Sequence, residues 1–379
     1  MGAESVGLRA ADLLAGPRGR RLCLETMLTL RDAETAATEE LRTAVFFAAY
    51  DLDPERGMSR VLFGAGVNQR AEVPLAPTPQ EVARLLDAAP LPDLDASTLL
   101  SALATVVDTA RYWQEPDGED VLAGTPEVRA ALARVAEAIA AARGCVWWAG
   151  PMQDREQWVV TFADLPHIPR PPARTAREIL DRWQGLQLEE EATAQRDRPA
   201  DPAARFSGTW WSRPALGLMG TTRALPGHGP MGLRFVEDGL GWESATVERV
   251  HLPADARIFE IDGAAAWTDL VDRYPLEVTA SRRHDWYRIT GRSGTWVIPD
   301  WSRVRHDYDA VHLTVGGYLS AAGTGIRLDD DRATVLAGWD PDATYWLRDL
   351  DRHESTAAEW HLDDADGAWR PWPGERHEA

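Results

Sequence analysis

The chain has 379 residues and a formal net charge of -20, with 60 acidic residues against 40 basic ones, all of which are arginine. This length suits two domains, because single hydrophobic cores stop growing well before it. An apolar share of 44% with 17 tryptophans excludes disorder over most of the chain. The acidic balance excludes the phosphate backbone of duplex nucleic acid as the main partner, but it leaves room for a local arginine site for a single phosphate or nucleotide.

Charged residues interrupt the first thirty positions, namely Arg18, Arg20, Arg21 and Glu25. This stretch therefore lacks the apolar region of a signal peptide, and no apolar run of 18 residues follows. We expect a cytoplasmic protein with no membrane partner. Cys23 and Cys145 lie far apart in the chain without a thiol or histidine at metal-ligand spacing, so we expect two reduced core residues and no metal site.

Residues 1–143 read as a helical region. Thr125 and Pro126 are typical of a helix start, and apolar residues then recur at helical spacing. Pro79 to Ala88 is predicted to form another helix. Residues 144–205 are predicted to hold a hairpin (Cys145 to Ala149 with Trp158 to Phe162), a helix from Arg174 to Gln187, and an exposed linker.

Residues 206–350 are predicted to form a tryptophan-rich, mainly antiparallel α+β domain, and residues 351–379 a polar C-terminal tail. Strands are expected at Val247 to Leu252, Ala256 to Ile261, Tyr308 to Val315 and Ala343 to Leu347. Trp286 to Thr290 and Gly294 to Ile298 are expected to form a hairpin. The fold class is therefore α+β, with the helices first and most strands later.

Standard catalytic motifs are absent: there is no Gly-rich phosphate loop of either common spacing, no HExxH, no CxxC and no nucleophile elbow. Three less regular clusters remain. In the first, Trp210 and Trp211 precede Ser212 and Arg213; tryptophan faces can stack a flat ring and arginine can hold a phosphate. The alternative is that the tryptophans are core residues and that Ser212 caps a turn.

The second cluster centres on His312, which shares one strand face with Thr314 and can act as a base or a hydrogen-bond donor. A structural histidine with satisfied hydrogen bonds is the alternative. In the third cluster Asp340 and Asp342 flank Pro341 before an aromatic strand, where two carboxylates can stabilise a developing cation or position a ribose hydroxyl. The alternative is an Asx-turn around the proline.

In this order, the clusters resemble the ADP-ribosyltransferase-like domains of bacterial proteins. The resemblance covers about residues 206–350 and rests on Gly208 to Ser212, Arg257 to Tyr274, Asp300 to Leu313 and Trp339 to Trp346. It implies NAD as the substrate, bound in a cleft between two small antiparallel sheets, and cleavage of the bond to nicotinamide. It also implies that Ser212 orders the site, that Trp210 and Trp211 flank nicotinamide, and that Arg213 or Arg223 meets the pyrophosphate. Asp340 or Asp342 would stand where the family has a late glutamate.

Two classes of function follow from the sequence. The first is a transferase or glycohydrolase that acts on NAD or another nucleotide, with Ser212, His312, Asp340 and Asp342 as its catalytic residues. The second is a non-catalytic regulatory protein whose acidic, Trp-rich surface binds a protein partner. Sugar binding by exposed tryptophans is a third, weaker hypothesis. The sequence leaves open whether the protein is an enzyme.

Overall fold

The structure is a computed structural model, which describes residues 7–28, 36–56, 75–153, 156–162, 174–239, 241–350 and 357–372. The protein has an α+β fold in which helices come first and most strands follow, as the sequence predicts. None of the helices in these ranges is both long enough and apolar enough to cross a membrane.

Local sequence explains where three helices of the N-terminal region start. Side chains of Thr78, Asp95 and Asp117 accept hydrogen bonds from the backbone at the beginnings of their helices. Leu41 and Val45 are buried on one face of their helix. In the described ranges the elements before the first strand are α1 (Ala10–Ala15), α2 (Pro17–Leu28), α3 (Ala36–Leu52), α4 (Pro79–Ala88), α5 (Ala96–Asp108), α6 (Gly118–Gly124), α7 (Pro126–Ala131), α8 (Ala133–Ala141) and a 3-10 helix (Arg143–Ala149).

The rest of the chain alternates strands and helices. The described elements are β1 (Gln157–Phe162), α9 (Ala176–Asp197), β2 (Gly220–Thr221), β3 (Ala224–Leu225), β4 (Gly229–Pro230), a 3-10 helix (Met231–Leu233), β5 (Ser244–Val250), β6 (Ile258–Ile261), α10 (Ala264–Arg273), β7 (Pro275–Glu277), α11 (Thr279–Thr290), β8 (Thr295–Pro299), α12 (Trp301–Val304), β9 (Ala310–Leu313), α13 (Val315–Ala321), β10 (Ile326–Arg327), β11 (Arg332–Thr334), β12 (Thr344–Trp346), β13 (Ala358–Asp363) and β14 (Ala368–Pro371). The strands predicted around β5, β6, β9 and β12 are confirmed.

The strands form three four-stranded sheets and one two-stranded ladder in the described ranges. One sheet has the order β1-β5-β13-β14 and is antiparallel throughout. The second, β10-β11-β8-β7, has a parallel pair at its centre. The third, β2-β12-β9-β6, is antiparallel except for the pair of β6 and β9. His312 of the second sequence cluster lies on β9 of this sheet, and Asp340 and Asp342 of the third cluster lie just before β12.

The N-terminal helices share a hydrophobic core with the C-terminal elements. Helices α1 and α2 pack against α13, and the core is continuous from Leu22 on α2 to Leu319 on α13. Trp267, Trp301 and Trp339 are fully buried and make ring contacts with one another. The tryptophan richness of the C-terminal part therefore serves its core to a large extent.

Several local predictions were wrong. Cys145 to Ala149 lies in a 3-10 helix instead of a strand, and β1 pairs with β5 instead of forming a hairpin. Trp286 to Thr290 is the last part of helix α11. The described part of the region predicted as a tail forms the hairpin of β13 and β14, and β13 joins the sheet through β5. Both cysteines are buried free thiols, as expected, and burial raises the pKa of each to about 12.

Candidate functional site

His312 and Asp342, two of the four predicted catalytic residues, lie in contact. His312 is on the central strand β9, where its ring nitrogen Nε2 lies 3.4 Å from Oδ1 of Asp342. Its other ring nitrogen, Nδ1, lies 2.5 Å from Oε2 of Glu260 on the adjacent strand β6. Burial lowers the pKa of His312, but the hydrogen bonds to Asp342 and Glu260 outweigh it, and the net shift is upward. The imidazole is therefore biased toward its charged form.

Arg223, predicted to bind a cofactor, contacts Asp342 from the other side. Glu260, His312, Asp342 and Arg223 therefore form a row of four charged or titratable side chains. The Nε of Arg223 donates to Oδ1 of Asp342 at 2.5 Å, and its backbone N–H donates to Oδ2 at 3.1 Å. Its guanidinium also donates to the carbonyl of Pro151 at 3.0 Å and lies over the ring of Trp147 at 4.7 Å. Met152 donates its backbone N–H to Glu260 at 3.0 Å. Residues 147–152 therefore cover this row, which alternates negative and positive groups.

The exposure of the row limits what it can contact. His312 is 0% exposed and Asp342 is 2% exposed, whereas the side chain of Glu260 is 30% exposed. Asp342 adopts a left-handed backbone conformation (φ 63°), which places its carboxylate between Arg223 and His312. Solvent therefore reaches this row through Glu260, a residue that the sequence analysis did not nominate.

Ser212 lies apart from that row and is 1% exposed. Its Oγ accepts a hydrogen bond from the N–H of Ala337 at 3.0 Å, and its own N–H donates to the carbonyl of Ala337 at 3.0 Å. The indole N–H of Trp301 donates to the carbonyl of Ser212 at 3.2 Å. These contacts fix the segment before Arg213 against the segment before Trp339.

The two neighbouring tryptophans face different surroundings. The ring of Trp210 packs 5.8 Å from Tyr112 and 4.8 Å from Trp113, both of which follow α5. Trp211 instead lines a pocket of about 400 Å³ beside α9, together with Trp183. The two indoles are nearly perpendicular, at 88°. They therefore do not form one flat stacking platform.

Asp340 and Arg213 belong to a further group of polar residues. Oδ1 of Asp340 accepts the backbone N–H of Glu237 at 2.8 Å, while Arg213 donates to the hydroxyl of Tyr345 at 2.7 Å. Burial raises the pKa of Asp340 to about 6, against the opposing effects of the hydrogen bond from Glu237 and the charge of Arg213. Burial, with the charge of Asp340, raises the pKa of Glu237 to about 8. The hydroxyl of Tyr112 lies 2.5 Å from Oε1 of Glu237 and joins this group to the helical region.

Tyr112 also lines a cavity of about 440 Å³. The cavity lies between the end of α1, the start of α2, the segment that follows α5, helix α6, the end of α11 and the turn after α13. Its volume is within the range of small-molecule sites. Its charged lining residues in the described ranges are Arg18, Arg20, Arg111, Arg292 and Asp120. In a chain with excess negative charge, this cavity is lined by four arginines and one carboxylate.

The cavity arginines differ in how well they are neutralised. Arg18 forms an ion pair with Asp120, and Arg111 lies 3.7 Å from a carboxylate oxygen of Asp238. Arg20 and Arg292 have no carboxylate within 4.0 Å among the described residues, and each donates to backbone carbonyl groups instead. Burial, followed by the charge of Arg129, lowers the pKa of Arg20. An anion in the cavity would relieve this unfavourable arrangement.

Four lining residues also have unpartnered polar atoms. The Nε atoms of Arg18 and Arg20, the hydroxyl of Thr324 and Oδ1 of Asp120 are buried without a hydrogen-bond partner among the described residues. Of these, Oδ1 of Asp120 lies 3.5 Å from a guanidinium nitrogen of Arg21. Buried polar groups in proteins are nearly always paired, so such atoms mark places where a ligand or water can bind. No sequence pattern pointed to this cavity, because its arginines are spread along the chain from Arg18 to Arg292 and no local motif joins them.

In the described ranges, no three His, Cys, Asp or Glu side chains are grouped in a way that could hold a metal ion. None of the eight residues nominated from sequence lines the arginine cavity. Comparisons of the chain with protein-family models, curated proteins and solved structures found no match.

Proposed function

We propose that this protein binds a phosphate-bearing, nucleotide-like small molecule in the arginine cavity. The observation that carries the proposal is the pair of Arg20 and Arg292, which line the cavity without a carboxylate partner among the described residues. Guanidinium groups bind phosphate oxygens through charge-assisted, often bidentate hydrogen bonds. A cavity of about 440 Å³ suits a ligand of nucleotide size.

NAD is the first dinucleotide to test, because the sequence resembles ADP-ribosyltransferase-like domains and because the pyrophosphate of NAD fits a set of guanidinium donors. The resemblance also leads to a catalytic proposal, in which the protein cleaves the bond between ADP-ribose and nicotinamide or transfers the ADP-ribose group. None of the residues to which the resemblance assigns NAD binding lines the cavity. Binding and catalysis are therefore tested separately.

The binding test is calorimetric titration of the purified protein with pyrophosphate, ADP, ADP-ribose and NAD. We expect saturable binding of at least one of them, weakened about tenfold or more in the Arg20→Gln, Arg292→Gln double variant, because each lost charged hydrogen bond costs more than 1 kcal/mol. Arg177→Gln, at an arginine whose side chain is 82% exposed and outside the cavity, is the matched control. A folded wild-type protein that binds none of the four ligands would contradict the proposal.

The catalytic test is incubation with NAD and measurement of released nicotinamide. Release that exceeds a protein-free control, and that is lost in Asp340→Ala with the fold retained, supports the transferase or glycohydrolase. Saturable binding without release removes the catalytic form and leaves a nucleotide-binding protein. If the ligands do not bind and a protein partner is recovered instead, the second hypothesis from the sequence gains support.

A further inference from the structure

A carboxyl group lies directly behind one wall of the arginine cavity. Tyr112 lines the cavity, is 2% exposed, and places its hydroxyl 2.5 Å from Oε1 of Glu237. The second carboxyl oxygen of Glu237 is buried and has no hydrogen-bond partner among the described residues. Glu237 is thus separated from the cavity by one side chain.

The groups that face Glu237 come from five parts of the chain. Tyr112 donates its hydroxyl to Glu237, and the hydroxyl of Tyr318 is buried nearby without a hydrogen-bond partner among the described residues; both hydroxyl groups lower the pKa of Glu237. Asp340 is the like charge that opposes its ionisation, and Arg18 is the cation that favours it. Arg213 and Tyr345 also interact electrostatically with Glu237. Arg18 is itself a cavity residue, so the charge on Glu237 acts on a group that would meet the ligand.

We infer that Glu237 is a positioning residue of the cavity: its protonated carboxyl allows the wall formed by Tyr112 and Arg18 to accept an anion, and its ionised form opposes the anion. This inference rests on the proposed function, because it assumes that anions bind in the cavity. The physical basis is the repulsion between a ligand anion and a buried carboxylate one side chain away, in surroundings that screen charge poorly. By linkage, an anion that favours protonated Glu237 must bind together with a proton.

Inorganic sulfate is a suitable probe, because its charge is constant across the pH range in which Glu237 titrates. Calorimetric titrations from pH 6.5 to 9, in buffers of different ionisation enthalpy, give both the affinity and the number of protons taken up. Since the pKa of Glu237 is about 8, we expect the dissociation constant to rise by about tenfold from pH 7 to pH 9, with proton uptake near pH 8. In Glu237→Gln, which cannot ionise, we expect neither the rise nor the uptake.

The control is Glu359→Gln, at an exposed position on β13, which should keep the wild-type pH profile. Tyr112→Phe is a second variant, and it keeps the test decisive if Glu237→Gln fails to fold. It removes a hydrogen bond that lowers the pKa of Glu237, so the midpoint of the profile should move to higher pH.

The outcomes separate the two proposals. Sulfate binding with the same pH profile in wild type and Glu237→Gln overturns the role of Glu237 and leaves the anion site intact. An unchanged midpoint in Tyr112→Phe also counts against that role. Failure of the folded wild-type protein to bind sulfate, pyrophosphate or the nucleotides at any pH overturns the anion site itself.

Discussion

The ring nitrogen Nδ1 of His312 lies 2.5 Å from Oε2 of Glu260, and the two residues are register partners on the parallel strands β9 and β6. With Asp342 on the other ring nitrogen, at 3.4 Å, the imidazole is held between two carboxylates. Burial opposes the charged imidazole, yet the pKa of His312 is raised above its ordinary value of 6.5. The pair therefore stabilises the fold in a pH-dependent way.

The sign of this dependence follows from the raised pKa. A histidine whose pKa is higher in the folded state contributes stability that is fully present below its unfolded value, about 6.5, and is lost as the pH rises through the folded value. We expect the loss of stability in His312→Gln to be largest at pH 5.5 and smaller at pH 8.5, as measured by urea unfolding. His306→Gln, at an exposed histidine, should show little effect at either pH. A deficit for His312→Gln that grows with pH would contradict this interpretation.

Ser212→Ala tests the structural contacts of the first sequence cluster. The hydroxyl accepts the N–H of Ala337 at 3.0 Å in a site where Ser212 is 1% exposed. Its removal leaves a backbone donor without that partner, and such a loss costs about 1–3 kcal/mol. We expect a decrease of that size in the free energy of unfolding, against almost none for Ser293→Ala at an exposed serine. Full stability of Ser212→Ala would show that the hydroxyl has no structural role.

Helices were predicted correctly from the sequence where the N-cap residue and the helical spacing of apolar residues lie in the same short segment. Helix α4 is bounded at Pro79 and Ala88 as predicted, since Thr78 caps it and its apolar face is internal to the segment. Helix α11 was predicted in part as a strand. The carboxylate of Glu191 accepts the backbone N–H groups of Ala280 and Ser281 at the start of this helix, from about 90 positions away. A cap supplied by a distant helix cannot be found in the local pattern.

The site was predictable only in part, for the same reason. Alternation predicted a strand over Tyr308 to Val315 with His312 and Thr314 on one face, but the strand ends at Leu313, and Thr314 instead caps α13. Alternation also could not show that Glu260 would be the neighbour of His312. That contact depends on the parallel pairing of β6 and β9, which are separated by two helices, a strand pair and a further short helix. The proximity of Asp342 to Arg223 depends in the same way on the pairing of β12 with β2.

Arg21 on α2 is the centre of a buried ion network that joins α2 to α6. Its side chain is 4% exposed and lies 2.7 Å from Glu25, 3.0 Å from Asp117 and 3.5 Å from Asp120, and it also pairs with Glu119. Replacement by methionine keeps the apolar stem but leaves several carboxylates without their cation.

Removing one partner of a buried ion pair typically costs about 3–5 kcal/mol, and we expect Arg21→Met to lose stability on this scale in chemical unfolding. Arg9→Met is the matched control, because Arg9 also pairs with an aspartate but its side chain is 68% exposed. The control should change stability by less than about 1 kcal/mol. Equal losses in the two variants would show that the network adds no stability beyond that of a surface pair.

Gly338 allows the third sequence cluster to pack against the first. Its φ of +73° is in the left-handed region, and an added Cβ would lie 2.6 Å from Cβ of Trp211 and 3.2 Å from the ring of Trp210. Gly227 has a similar φ of +78°, with nothing within 4 Å of the added atom.

Gly227→Ala should therefore cost only the strain of a left-handed backbone conformation, about 1–2 kcal/mol. Gly338→Ala must in addition displace the backbone that carries the two tryptophans. We expect the second variant to lose clearly more free energy of unfolding and to change the tryptophan fluorescence of the folded state. Equal losses would mean that the close approach of Gly338 to Trp211 contributes nothing to the stability of the fold.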